Sequence, residues 1–296
     1  MKQLPTSVDF MLLGTCDFCC PFCFGPQHNI SAMKTNQIIK IIHKLATNGV
    51  KRIIFTGGEP TFIKDLPNIL NEAKKSGLTT IISTNGLLLA SNPKLLRQIT
   101  LRLDWIALPL EGDSAESNAT MRFGLKPNSG VRQFYAVLKL IKKIKREYPN
   151  LKVKLGTVVV QPNINHVVNI PRMLAFYQAI PDTWKLYQIS PSGYGKLNYD
   201  KLKISDEKFK KVYAKAREQA IKFGIPNVVE YTNSERPGKY IFINPEGDVL
   251  IIHPKYNDYY KIGNILDDFN NVIKNWGNYI NENSLTKNFE MTYPFS

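Results

Sequence analysis

Two kinds of apolar pattern alternate along the chain from Ser7 to about Ile189. Short runs rich in Val, Ile and Phe read as buried strands, and longer stretches with apolar residues every three or four positions read as amphipathic helices. The pattern predicts strands at residues 8–13, 52–55, 79–83, 105–109, 152–160 and 185–189. Helices are predicted between them near residues 34–48, 66–76, 93–101, 130–148 and 167–179. Gly49 and Gly77 each follow a helix and precede a strand, where glycine most easily forms a left-handed C-cap. Strands alternating with helices call for a parallel sheet covered by helices. The expected class is α/β, with six βα units forming a partial barrel or an open curved sheet.

Beyond residue 189 the alternation stops. A loop rich in Gly and Tyr is expected at 190–199, a helix at 206–223, and a hairpin at 239–252 turning on Asn244-Pro245-Glu246-Gly247. This divides the chain into a core barrel at residues 1–190 and an extension at 191–296 that closes the barrel within the same structural unit.

A length of 296 residues with 43% hydrophobic content is enough to bury one sizeable core. Met1 to Thr6 lack the apolar stretch of a signal peptide, and no run of about 18 apolar residues occurs. The chain is therefore expected to be soluble and cytoplasmic, with no membrane partner. The formal charge of +15 favours anionic partners, although the run Lys139 to Arg146 also reads as a solvated helix face. All four cysteines lie between Cys16 and Cys23, so no disulfide joins distant parts of the chain. The cysteines serve local chemistry, and none follows to bind a second cluster.

Cys16, Cys20 and Cys23 form C-x3-C-x2-C directly after the first strand, at the carboxyl end where α/β folds place ligands. Three thiolates within eight residues suit three corners of an iron–sulfur cubane and leave its fourth iron open. Zinc is the competing reading, since Cys16-x2-Cys19 and Cys20-x2-Cys23 are formally two C-x2-C pairs. Structural zinc sites usually draw their pairs from two separated knuckles, and adjacent Cys19 and Cys20 would strain one tetrahedral ion. A redox dithiol is a further alternative. On the cluster reading Cys19 is a spectator, expected as a small buried side chain.

The cysteine spacing, with Phe22 before the last cysteine, resembles the signature of the radical S-adenosylmethionine (SAM) superfamily. Other segments follow in that family's order. Thr56-Gly57-Gly58-Glu59-Pro60 resembles its GGEP element, which binds the SAM amino group through backbone and carboxylate, with Gly57 and Gly58 letting the main chain approach the ligand. Ser83, Thr84 and Asn85 stand where members place polar groups against the SAM ribose, and Arg122 stands where an arginine pairs with the SAM carboxylate. The fifth strand, including Val159, would lie against adenine. The resemblance implies a radical SAM barrel, a [4Fe-4S] cluster, SAM, and reductive SAM cleavage to a 5′-deoxyadenosyl radical that abstracts hydrogen. It assigns Cys16, Cys20 and Cys23 to the metal and implies an electron donor such as flavodoxin or ferredoxin. His28, His43, His166 and His253 are scattered and read as structural, and no catalytic residue is singled out.

Within the superfamily the chain is most similar to the viperin-like enzymes, which dehydrate a nucleoside triphosphate. Phe24, Arg122-Phe123-Gly124, Val153-Lys154-Leu155, Trp184 to Gln188, Ser205 to Phe209 and Lys239 to Ile243 carry this likeness. It implies that Lys154, Lys185 and Tyr240 bind substrate, the lysines on a triphosphate. Gln27 replaces a lysine-containing loop and Gly156 replaces a polar side chain that faces the base. Ordinary solvated strand-end lysines remain an alternative for Lys154 and Lys185. Modification of RNA or a peptide is the rival activity, though no RNA-binding module is visible. A zinc-binding or degenerate scaffold is the non-enzymatic rival, and iron and sulfide content would distinguish it.

Overall fold

The computed structural model describes residues 4–25, 30–239, 241–255 and 258–283. Seven parallel strands run in chain order: β1 (Ser7–Met11), β2 (Arg52–Thr56), β3 (Thr79–Ser83), β4 (Trp105–Pro109), β5 (Lys152–Val159), β6 (Thr183–Gln188) and β7 (Val228–Tyr231). Then come β8 (Ile241–Ile243), β9 (Asp248–Ile252) and β10 (Tyr259–Asn264). β8 lies parallel to β1, and β9 and β10 continue antiparallel, so the sheet order is β10-β9-β8-β1-β2-β3-β4-β5-β6-β7.

Side-chain alternation divides the sheet into two faces. Val8, Phe10, Ile53, Phe55, Ile82, Ile106, Val153, Leu155 and Leu186 belong to the main core, shared with the apolar stripes of the covering helices. The helix Ser129–Glu147 shows the division: Phe134, Val137, Ile141 and Ile144 are buried, while Lys139, Lys142, Lys145 and Arg146 face solvent. On the other face, Ile54, Ile81 and Trp105 form a small cluster of their own.

The six expected strands and their helices are present within a few residues. The helix expected at 167–179 is instead two pieces, Ile164–Val167 and Ile170–Phe176, the second with Pro171 in its first turn, a position where the missing amide costs nothing. Most of the expected loop at 190–199 is different too: Tyr194–Leu202 is helical and starts at Gly193 with φ +58°.

β7, β10 and the helix Phe269–Glu282 were not anticipated. β7 widens the sheet at one edge and β8–β10 widen it at the other; among the described residues β7 and β10 do not pair. The hairpin between β8 and β9 turns at Asn244 to Gly247 as expected, with Asn244 Oδ1 accepting the amides of Glu246 and Asp248. No described helix is long and apolar enough to cross a membrane.

Candidate active site

A cavity of about 250 Å³ opens on the inner face of the sheet. Its wall comes from alternate strand residues and from the loops at the carboxyl ends of β1 to β4. Cys16, Cys20, Cys23 and Phe22 line one end, while Asp9, Lys154, Lys185 and Arg236 line it further down the strands.

The cysteine loop is strapped from several sides. Phe18 bridges Gly124, and the Cys19 amide donates to the Phe123 carbonyl at 2.6 Å. The helix Tyr194–Leu202 presses on the loop from the other side, with Gly195 N–H donating to Cys23 O at 3.0 Å and Asn198 Nδ2 to Pro21 O at 3.0 Å. A Cβ on Gly193 would stand 2.5 Å from Phe24 O, so a glycine is needed for this approach. Cys19 is exposed and does not line the cavity, contrary to the expected buried spectator, while its amide is held in the strap.

The cavity-facing donor set is three thiols beside the apolar wall of Phe18, Phe22 and Met121. Burial, with Glu59 nearby, pushes the Cys16 thiol far up, and burial pushes Cys20 up to about 12 against the pull of Arg122. Such thiols become thiolates when a cationic centre supplies the missing charge. Among the described residues, no three His, Cys, Asp or Glu side chains converge tightly enough to hold one metal ion.

Gly57 and Gly58 follow β2 and pack against this loop. A Cβ on Gly58 would lie 2.0 Å from Thr15 O, and one on Gly57, where φ is +139°, 2.5 Å from Leu13 O. Both line the cavity, but their small size is required by the chain's own backbone, where the sequence reading had invoked the ligand. Glu59 is buried and held by four donors: Thr61 N at 3.1 Å, Thr61 Oγ1 at 2.6 Å, Thr84 Oγ1 at 2.6 Å and Asn85 N at 2.8 Å. Burial raises its pKa, and these donors oppose the shift. Asn85 Nδ2 also donates to Asp17 at 2.7 Å, which joins the ends of β1, β2 and β3 in one network.

Arg122 is already engaged. Its guanidinium donates to Glu111 Oε1 at 2.7 Å, lies 3.7 Å from Cys20 Sγ, and stacks 5.6 Å from the Phe22 ring. Its Nε is buried without a hydrogen-bond partner among the described residues. Glu111 is buried and uses its other oxygen to accept the Val158 amide at 2.7 Å. The sequence reading missed Glu111, whose signal was an acid just past the end of β4.

At the other end, Lys154 and Lys185 point into the cavity from the third positions of β5 and β6 and are only 7% and 6% exposed. The solvated-lysine alternative is therefore excluded. Lys154 Nζ donates to Tyr187 Oη at 3.2 Å, and Lys185 Nζ sits 4.0 Å from the Tyr231 ring centre and 5.1 Å from that of Tyr187. Burial and then Lys154 hold the Lys185 ammonium well below its ordinary pKa, while Asp9 opposes them. Arg236 caps the group, 5.2 Å from Tyr231 and donating to Gln188 O at 2.6 Å, with a buried Nε that has no partner among the described residues.

Of the residues chosen from sequence, Cys16, Cys20, Cys23, Phe22, Gly57, Gly58, Glu59, Ser83, Thr84, Asn85, Arg122, Lys154 and Lys185 line this one cavity. Pro60 does not; it is buried in the turn Pro60–Phe62 behind Glu59. Val159 does not either, since alternation turns it into the main core and gives the cavity face to Val158. Tyr240 and Gln27 lie outside the described residues. Arg236, Tyr187, Tyr259 and Asp9 also line the cavity and were not chosen from sequence.

A three-thiol loop after β1, locked to a diglycine turn after β2, is the arrangement by which a strand-end cofactor site was expected. Residues 11–174 match the family model described as the radical SAM superfamily, and the chain belongs to that superfamily. It is an enzyme of that class, with a [4Fe-4S] cluster and SAM as cofactors. Among curated relatives, it is 31% identical over 249 residues to an S-adenosylmethionine-dependent nucleotide dehydratase of Flammeovirga pacifica, covering 81% of this chain and 80% of that one. A protein of the same name from Lacinutrix mariniflava is 30% identical over 258 residues, covering 83% of this chain; the match spans 50% of that relative's length. Among solved structures, Streptococcus suis SuiB bound to S-adenosylmethionine superposes with a TM-score of 0.70 at 18% identity, covering 92% of this chain and 66% of that one.

Proposed function

We propose that this chain is a nucleotide-acting radical SAM enzyme that carries out a viperin-like dehydration of a nucleoside triphosphate. The observation that carries the reading is that Lys154 and Lys185 enter the same cavity as the three thiols. The unpartnered Nε of Arg236 beside them adds a further cationic donor. The resemblance to two nucleotide dehydratases supports the same substrate class.

In this reading Cys16, Cys20 and Cys23 hold the cluster. The Gly57-Gly58-Glu59 turn, Ser83, Thr84, Asn85 and Arg122 border the SAM site, with Val158 in place of Val159 on its β5 wall. Held there, SAM and the cluster would supply the radical chemistry by which hydrogen is abstracted from the substrate. The chain's own residues do the rest: the lysines and Arg236 orient polyphosphate, and the apolar wall excludes water from the reacting region. The described part of the extension after residue 190 acts in the same unit, since Arg236, Phe242, Ile252 and Tyr259 complete the cavity. The enzyme acts in the cytoplasm, whose reducing environment keeps thiols free, with flavodoxin or ferredoxin as electron donor.

The test is anaerobic reconstitution with iron, sulfide, dithionite and SAM, followed by each of the four ribonucleoside triphosphates. Stimulated 5′-deoxyadenosine release with one of them, together with a dehydrated nucleotide product, is the expected result. Stimulation by none of the four overturns the nucleotide reading.

A further inference from the structure

The basic end of the cavity contains an acid that the proposed function leaves unused. Asp9 stands at the middle of β1, in register with Ile54 of β2 and Phe242 of β8, and lines the cavity with Lys154, Lys185 and Arg236. Both register partners are uncharged. The titratable groups facing Asp9 come from elsewhere: Lys154 on β5, Lys185 on β6 and Tyr259 on β10, with Arg236 and Lys239 around Lys185. The Asp9 carboxyl makes no side-chain hydrogen bond or close ion pair among the described residues, so both its oxygens are available to a ligand.

A carboxylate at this place works against the chemistry around it. Three cations gathered in a cavity favour an anion, and a fixed negative charge beside them repels that anion strongly where water is excluded. Protonation removes the conflict, because a carboxylic acid no longer repels phosphate and its O–H becomes a donor to a phosphate oxygen.

We infer that Asp9 is a proton-accepting residue of the substrate site, a carboxylate that neutralises the lysine pair when the basic end is empty and that takes one proton from solvent when a polyphosphate settles there. This rests on the nucleotide reading above. The proton is drawn from the medium and ends on Asp9 Oδ, with no other bond made or broken. Burial already pushes Asp9 up to about 7 against the pull of Lys154 and Lys185, so the protonated form is accessible near neutrality. The sign follows: the protonated site is the binding form, so affinity is greatest below that value and declines above it, by up to about tenfold per pH unit for one linked proton.

The experiment is titration calorimetry of CTP into the reconstituted, SAM-loaded holoenzyme, in paired buffers of different ionisation enthalpy, for wild type, Asp9→Asn and Asp9→Ser. The two variants differ in shape, and retained iron content reports that each is folded. At pH 8 the wild type is expected to take up more protons per CTP than either variant, by an amount approaching one. Between pH 7.5 and 9 its affinity should weaken relative to Asp9→Asn by up to about tenfold per unit. The ionisation of CTP itself cancels in this comparison, and repeating it in a Lys185→Arg background, whose guanidinium stays protonated, removes the uptake by Lys185 that Asp9 also influences. Equal proton uptake in all three proteins overturns the role of Asp9 and leaves the nucleotide reading standing. If no protein binds CTP, ATP, GTP or UTP, the nucleotide reading falls and this inference falls with it.

Discussion

At the cysteine end of the cavity the functional groups sit on loops after β1 to β4, and hydrogen bonds tie each to its neighbours, as Asp17, Asn85, Glu59, Thr61 and Thr84 do. At the basic end they project from the strands themselves, and tyrosine rings cradle the ammonium groups of Lys154 and Lys185. The first arrangement is a cross-braced wall with few movable parts, suited to a ligand of fixed shape. The second offers cations a soft, partly desolvated wall from which they turn readily to an incoming anion.

The largest effect that would break this comparison lies at the cysteines. Alanine at Cys16, Cys20 or Cys23 is expected to abolish the cluster, read as loss of iron and of brown colour after reconstitution. A variant of any of these three that keeps full iron content would refute the assignment. Next comes Glu111→Ala, which strips the buried Arg122 of its partner and should destabilise the protein by about 3–5 kcal/mol in urea unfolding; an unchanged midpoint would show that the pair does not hold the end of β4 to β5. Lys154→Ala and Lys185→Ala sharpen the contrast from the other end. Each is expected to cost on the order of 1–3 kcal/mol in nucleotide affinity, roughly tenfold to a hundredfold, with SAM affinity intact. Equal losses for both ligands would mean that the two ends are not separate sites. The smallest effect is at exposed Cys19, where Cys19→Ala should leave iron content unchanged and stability within about 0.5 kcal/mol.

The same contrast explains what could be read from the chain beforehand. The cysteine end is written in contiguous segments, Cys16 to Cys23, Gly57 to Glu59 and Ser83 to Asn85, because it is lined by strand-end loops whose neighbouring residues share one wall. The basic end brings together Asp9, Lys154, Lys185 and Arg236, which are far apart in sequence, and only the sheet register makes them neighbours. The phase of β5 is legible in the alternation of Lys152, Val153, Lys154 and Leu155, which puts Val158 on the Lys154 face and Val159 on the core face; the apolar run Val158 to Val160 taken alone hides it. The helix Tyr194–Leu202 read as a loop because its glycines serve tertiary contact: Gly195 packs against Ser190 O and Phe22 O, which no local propensity reports. The helix Phe269–Glu282 was legible but overlooked, with Asp268 capping the Asn271 amide and Val272, Trp276, Tyr279 and Ile280 at helical spacing.

Lys154 and Val158 stand on the same face of β5, four residues apart, which at roughly 3.3 Å per residue is about 13 Å. The rung between them, Gly156, has no side chain, and the Val158 amide is pinned by the carboxylate that also holds Arg122. β5 is therefore a ruler with a cation at its lower mark, a clamped mark near the cysteine loop and a bare edge between. For the proposed nucleoside triphosphate, such a ruler would set the height of the far end by the number of phosphates below it, and so grade ligands by length before base.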